Sequence, residues 1–121
     1  MKNTAIIIPT RLGAKRFRNK PLVKINGIPM IIHVLNRAKE SRVGKVFVAT
    51  PDSEIIDIVK ENGGQAILTK HDHPSGSDRV YEAYLKQLKD NVDLIINLQG
   101  DMPNIKPNSI SKLEKLMREN D

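Results

Sequence analysis

Positions 11–20 hold Arg11, Lys15, Arg16, Arg18 and Lys20, with Gly13 among them and no acidic residue. The whole chain has 20 Lys and Arg against 14 Asp and Glu, a net charge of +6, and without these five cations the balance is 15 against 14. The basicity is thus mostly a property of one segment. A glycine lets backbone N–H groups come close to an anion, and flanking cations neutralise the charge of about −4 on a nucleoside triphosphate. The spacing is neither G-x-x-x-x-G-K-[ST] nor G-x-G-x-x-G. A solvated basic loop is the plain alternative, but so much charge in one place favours a polyphosphate site. Arg11, Arg16 and Lys20 are the strongest candidates; Lys15 and Arg18 could as easily face water.

Two further segments could carry chemistry. Asn97-Leu98-Gln99-Gly100-Asp101-Met102-Pro103 puts a carboxylate beside a glycine directly after an apolar run. Asp101 can hold a hard cation such as Mg2+, which keeps several waters and takes only one or two carboxylates. Equally, it can satisfy backbone N–H groups in a turn. The segment Lys70-His71-Asp72-His73-Pro74-Ser75-Gly76-Ser77-Asp78-Arg79 precedes a helical pattern. Ser75 or Ser77 can cap that helix, whose positive end suits a base carbonyl or a phosphate. His71 and His73, with no cysteine and no third imidazole nearby, make a poor zinc site. His33 reads as a plain surface residue within a helix. No nucleophile–base triad is visible, so transfer driven by positioning and electrostatics is favoured over hydrolysis.

Four apolar, β-branched runs position these segments: Thr4–Pro9, Lys45–Thr50, Gln65–Thr69 and Val92–Leu98. They are continuous rather than alternating, as strands buried on both faces are. A helix is expected after each. The first, from near Pro29, has Met30, Val34 and Ala38 on one face, flanked by Ile31 and Leu35. The second follows Asp52 with Ile55, Ile58, Val59 and Asn62 on one side, and stops at Asn62-Gly63-Gly64. The third runs from about Ser77 with Tyr81, Tyr84, Leu85 and Leu88 in register. The last starts around Pro107 and carries Ile110, Leu113, Leu116 and Met117. This alternation predicts an α/β fold, a doubly wound, mostly parallel sheet of about four strands and four helices. Its ligands sit beyond the carboxyl ends of the strands, where strand order reverses. If the first and fourth strands flank that point, Asp101 faces the basic loop.

The 121 residues, 39% of them hydrophobic, suffice for one small core, and 3% aromatics make that core aliphatic. So few aromatics argue against base-stacking platforms, and the near-neutral remainder argues against a broad phosphate-tracking face, so nucleic acid is not an expected partner. There is no cysteine, which removes disulfides and Cys-ligated metal sites. No segment approaches the ~20 apolar residues of a membrane span, and the Ala5–Ile8 run is too short for a signal peptide, so a cytoplasmic location is expected.

Taken together, the three segments resemble the bacterial 3-deoxy-manno-octulosonate cytidylyltransferases, the CMP-Kdo synthetases. The family's I-I-P-A-R-x-x-S-x-R-L-P-G-K-P-L is similar to Ile7-Ile8-Pro9-Thr10-Arg11 through Arg16 and Lys20-Pro21-Leu22. Its H-x-S-G-T-[DE]-R is similar to His73-Pro74-Ser75-Gly76-Ser77-Asp78-Arg79, and its N-x-Q-G-D-E-P to Asn97-Leu98-Gln99-Gly100-Asp101-Met102-Pro103. Asn26-Gly27-Ile28-Pro29-Met30-Ile31 and Val48-Ala49-Thr50 also fit, so the resemblance runs the length of the chain. It implies a Rossmann-like nucleotide-diphospho-sugar transferase fold. It also implies transfer of CMP from CTP to the anomeric hydroxyl of Kdo, with magnesium required and pyrophosphate leaving, for lipopolysaccharide biosynthesis. Carried over residue by residue, Arg11, Arg16 and Lys20 hold the triphosphate and Ser75 to Arg79 lie near base and ribose. Gln99 lies near them or toward the sugar, and Asp101 binds magnesium. The implied nucleotide-binding set is Pro9, Arg11, Gly13, Arg16, Lys20, Ser75, Gly76, Ser77, Arg79 and Gln99. The implied catalytic set is Arg11, Arg16, Lys20 and Asp101, with Asp101 the metal ligand.

The chain departs from the family pattern in Ala14 for a serine, Phe17-Arg18-Asn19 for Leu-Pro-Gly, and Met102 for a glutamate. The sialic-acid-activating relatives share a first loop that Arg11-Leu12-Gly13-Ala14-Lys15 echoes. Family chains are about twice as long and form homodimers. Residues 1–121 are therefore expected to be the CTP-binding half, inactive or weak alone, with the sugar-binding and dimerisation half absent. A non-catalytic nucleotide-binding module is the competing expectation; a basic nucleic-acid-binding domain is a third.

Overall fold

The apolar runs form the strands of one parallel sheet, in a computed structural model that describes residues 3–12, 20–73, 75–99 and 105–119. Among these residues the strands are β1 (Thr4–Pro9), β2 (Lys24–Ile25), β3 (Ile28–Pro29), β4 (Lys45–Thr50), β5 (Gln65–Leu68) and β6 (Leu94–Asn97). The helices are α1 (Met30–Ser41), α2 (Ser53–Glu61), α3 (Gly76–Ala83) and α4 (Pro107–Glu119), with a 3-10 turn at Lys20–Leu22 and a π-helical turn at Tyr84–Leu88.

The main sheet has the order β5-β4-β1-β6, and every pairing in it is parallel. From β1 the chain steps outward to β4 and β5, then returns to the other side of β1 as β6. Strand order therefore reverses between β1 and β6, the two strands expected to flank the ligand crevice. Strands three and four are shorter than expected, but hydrogen bonds continue past their ends, from Thr69 N–H to the Thr50 carbonyl and from Leu98 N–H to the Ile7 carbonyl, both at 3.0 Å.

Alternate residues of β1 feed two separate cores, because successive side chains of a strand point to opposite faces. Ile6 and Ile8 pack with Ile31, Leu35 and Ala38 of α1, Ile55 and Val59 of α2, and Ile110 of α4. Ala5 and Ile7 pack on the other face with Phe47, Ile67, Val80, Ala83 and Leu88. Helices thus cover both faces, and α3, the crossover that carries the chain back across the sheet, lies opposite the others. Each fully buried Ile or Leu contributes roughly 1.5–3 kcal/mol.

The apolar faces expected for α1 and α2 are the buried ones, with Ile58 half-buried and Asn62 exposed. Gly63 ends α2 at φ +76°, the left-handed stop that Asn62-Gly63-Gly64 predicts. The face expected for α3 holds only in part: Leu88 is buried and Tyr84 packs against the core, but Tyr81 is 62% and Leu85 46% exposed, and Arg79, Val80 and Ala83 are buried instead. Capping by Ser75 sets the phase of the first turn so that Val80 and Ala83 face the sheet. The wider π turn then brings Leu88 back onto it. On α4, Ile110 is buried but Leu113 and Leu116 are exposed, because only one edge of this helix rests on the core.

The β2–β3 hairpin and the 3-10 turn have no counterpart in the expected elements. Asn26 and Gly27 form the turn, with φ of 54° and 80°; Asn-Gly supplies the two positive φ values of a tight hairpin. His33 is not a plain surface residue. It is half-buried, and its Nε2 lies 2.7 Å from the Ile25 carbonyl, tying the hairpin to α1.

Candidate nucleotide-binding site

Because the four main strands are parallel, their carboxyl ends share one edge, and the described candidates Pro9, Arg11, Ser75, Gly76, Ser77 and Gln99 lie along it. Pro9 ends β1. Thr10 N–H continues the ladder to the Ala49 carbonyl at 3.0 Å, and Leu12 N–H donates to Asp52 Oδ2 at 2.8 Å. Arg11, exposed, stands between these two anchored residues. Lys20 opens the 3-10 turn. Gly13, Arg16 and Asp101 lie outside the described residues, as do Lys15 and Arg18.

Across the edge, Ser75 is the N-cap of α3. Its Oγ accepts Asp78 N–H at 3.3 Å and donates to Asp78 Oδ2 at 2.7 Å. The absence of a Cβ at Gly76 permits close packing: one built there would stand 3.2 Å from Pro9 Cγ and 3.9 Å from Gln99 Oε1. Gly76 therefore lies close to Pro9 and near Gln99. A chain of side-chain hydrogen bonds runs from Gln99 Nε2 to Asn97 Oδ1 and from Asn97 Nδ2 to Ser77 Oγ, each 3.3 Å. Segments distant in sequence thus form one corner at the β1–β6 reversal.

Arg79 belongs to the inner face of α3. It is 3% exposed, and its Nη1 donates to Thr69 Oγ1 and to the Lys70 carbonyl, both at 2.6 Å. Burial pushes its pKa below the ordinary arginine value and nearby Arg11 adds to that, while Asp52 and Glu82 oppose it.

His73 is half-buried and lies 2.5 Å through Nε2 from Glu82 Oε1; His71 is exposed. Among the described residues no group of three or more His, Cys, Asp and Glu side chains is arranged to hold a metal ion. No described helix is long and apolar enough to cross a membrane.

Sequence reasoning missed Asp52, Thr69, Asn97 and Glu82. Asp52 had a signal: it follows the second strand, whose carboxyl end shares the ligand edge. The other three act through partners that only the folded chain brings near.

The cytidylyltransferase family model matches residues 5–121. A 3-deoxy-manno-octulosonate cytidylyltransferase of Nitrobacter winogradskyi is 47% identical over 118 residues, which are 97% of this chain and 46% of that protein. One from Rhodopseudomonas palustris is 49% identical over 108 residues, 88% of this chain and 44% of the relative. The solved structure of a CMP:2-keto-3-deoxy-manno-octonic acid synthetase complexed with CTP superposes with a TM-score of 0.91 at 42% identity, over 98% of this chain and 48% of that one. A 4-diphosphocytidyl-2C-methyl-D-erythritol synthase, 15% identical with a TM-score of 0.74, shares the fold. The chain spans about half the length of the curated relatives it matches. The match of nearly all its residues to the family model, on a parallel sheet of the order found here, makes this chain a member of the cytidylyltransferase family.

Proposed function

We propose that this chain is the nucleotide-binding half of an enzyme that transfers CMP from CTP to the anomeric hydroxyl of 3-deoxy-manno-octulosonate. The sugar oxygen attacks the α-phosphorus, the bond to the β-phosphate oxygen breaks, and pyrophosphate leaves. The observation that carries this reading is the nearness of Gly76 to both Pro9 and Gln99 at the β1–β6 reversal. It joins all three motif segments at one ligand edge.

In this reading Arg11, Arg16 and Lys20 hold the triphosphate, and Gly13 lets the backbone approach it. Ser75, Gly76 and Ser77 line the base and ribose side, with Gln99 beside them, and Arg79, buried behind, holds the preceding loop through Thr69 and Lys70. Asp101, two residues beyond Gln99, is a hard oxygen donor of the kind that suits magnesium. Bound there, Mg2+ would neutralise charge on the phosphates of the nucleotide. The protein side chains contribute alignment and fixed charge rather than a covalent intermediate. The acidic sugar, a homodimeric assembly, a cytoplasmic location and a place in lipopolysaccharide synthesis follow from the likeness to the relatives and belong to the proposal.

Isothermal titration of CTP, with ATP as control, with and without magnesium, tests this reading in the wild type, Arg16→Ala and Asp101→Ala. Magnesium-dependent, CTP-selective binding that both substitutions weaken is expected. Equal affinity for CTP and ATP would overturn it.

A further inference from the structure

Glu82 does no work in the nucleotide reading, yet it is among the most heavily bonded side chains of the described residues. Its side chain is 13% exposed. Oε1 accepts Lys70 N–H at 2.9 Å and lies 2.5 Å from His73 Nε2. Oε2 pairs with Lys86 Nζ at 3.0 Å, and the same ammonium donates to the Leu68 carbonyl at 2.9 Å. Arg79, three residues earlier on α3, grips the same loop from its other polar side, through Thr69 Oγ1 and the Lys70 carbonyl. Lys70 thus has its N–H held by an anion and its carbonyl by a cation, both projecting from one helix.

The residues so held, Leu68 to His73, lead directly into the Ser75–Ser77 corner. A partly buried carboxylate network is a poor way to gain stability, since a well-packed apolar replacement is often neutral or better. What it can supply is a single geometry for the segment it grips. Charge-assisted hydrogen bonds are also the strongest available for that task.

We infer that Glu82 is a positioning residue: by clasping Lys70 and His73 to α3 it fixes the Ser75–Ser77 corner so that this corner discriminates the nucleobase. The inference rests on the nucleotide reading above. It assigns base selectivity, and not triphosphate affinity, to the clasp, because Thr10 and Leu12, on either side of Arg11, are anchored separately, at Ala49 and Asp52.

The test titrates the full chain and its Glu82→Ala and Glu82→Gln variants with CTP, ATP and inorganic tripolyphosphate. In Glu82→Ala, CTP affinity should fall about tenfold, the consequence of losing roughly 1.4 kcal/mol. ATP and tripolyphosphate affinities should stay within about twofold of the wild type. Glu82→Gln keeps an acceptor for Lys70 N–H and should restore most of the CTP preference. A folded Glu82→Ala protein that still prefers CTP as the wild type does would overturn the inference. So would equal losses for CTP and tripolyphosphate, which indicate general loosening. Should Glu82→Ala fail to fold, His73→Ala, which removes one bond of the clasp, decides in the same way: a selective loss for CTP supports the inference, and an unchanged preference overturns it. A wild type with no preference for CTP over ATP is a different result, which removes the nucleotide reading itself.

Discussion

Asp52 occupies the N-cap position of α2, yet its carboxylate makes no cap bond to that helix and instead accepts Leu12 N–H at 2.8 Å. An aspartate there usually contributes about 1 kcal/mol to its own helix. Here that contribution goes to the chain leaving β1, one residue beyond Arg11. Removing the side chain leaves the Leu12 N–H without its acceptor and Arg11 fixed from one side only. Asp52→Ala should lower stability by about 1–2 kcal/mol in urea denaturation and weaken CTP binding about fivefold. Asp52→Asn, which retains an oxygen acceptor, should fall between it and the wild type. Unchanged CTP affinity in Asp52→Ala would mean that Arg11 does not depend on this anchor.

Acid should find Glu82. Burial alone would push this carboxyl up, but hydrogen bonds from Lys70 N–H and His73, with Lys86 beside it, outweigh burial and hold its pKa down at about 2, against 4.5 ordinarily. A carboxyl depressed on folding contributes stability that is present above the unfolded pKa and is lost as pH falls through the folded one. The wild type should therefore lose stability between about pH 4.5 and 2 more steeply than Glu82→Gln does. Parallel acid-denaturation slopes for the two proteins would contradict the bonding around Glu82.

The turn before β4 leaves no space for a side chain at Gly44. A Cβ built there would stand 1.8 Å from the Thr4 carbonyl oxygen and 2.6 Å from its carbon. Both are backbone atoms of the central strand, so relief requires the strand or the turn to move. Gly44→Ala should cost at least the roughly 1–3 kcal/mol typical of overpacking, read as a lower melting temperature. A melting temperature equal to the wild type would refute this close approach.

The register of α3 separates two aromatic and aliphatic positions that look alike in sequence. Tyr81→Ser, at an exposed position, should change stability by less than about 0.5 kcal/mol. Val80→Ala, one residue away on the buried face, should cost about 1–2 kcal/mol. The opposite ranking in chemical denaturation would restore the face that periodicity alone predicts.

Much of the fold was legible because its signals are local. β1 and β4 were expected at their observed bounds, since continuous β-branched runs mark buried parallel strands. The apolar face of α1 and the Gly63 stop of α2 followed from helical spacing and from backbone freedom at positive φ. The three loop segments were also recognisable, because their charged and small residues stand directly after strands. The hairpin was missed despite its Asn26-Gly27 signal, because strands of two residues leave almost no alternation to detect.

By itself the sequence determined the alternating order of strands and helices, the aliphatic core, the place of the basic loop and the family likeness. All of these depend on residue type and on spacing along the chain. Only the tertiary structure decided that Asp52 serves Leu12 rather than α2, that Gly76 admits Pro9 and Gln99, and that Glu82 and Arg79 hold one residue, Lys70, by its N–H and by its carbonyl. The same holds for the turn of α3 that leaves Tyr81 outside and buries Ala83. Each of these depends on which strand ends lie side by side and on the phase in which a helix meets the sheet. Both are set by packing across the whole domain, and no local pattern records them.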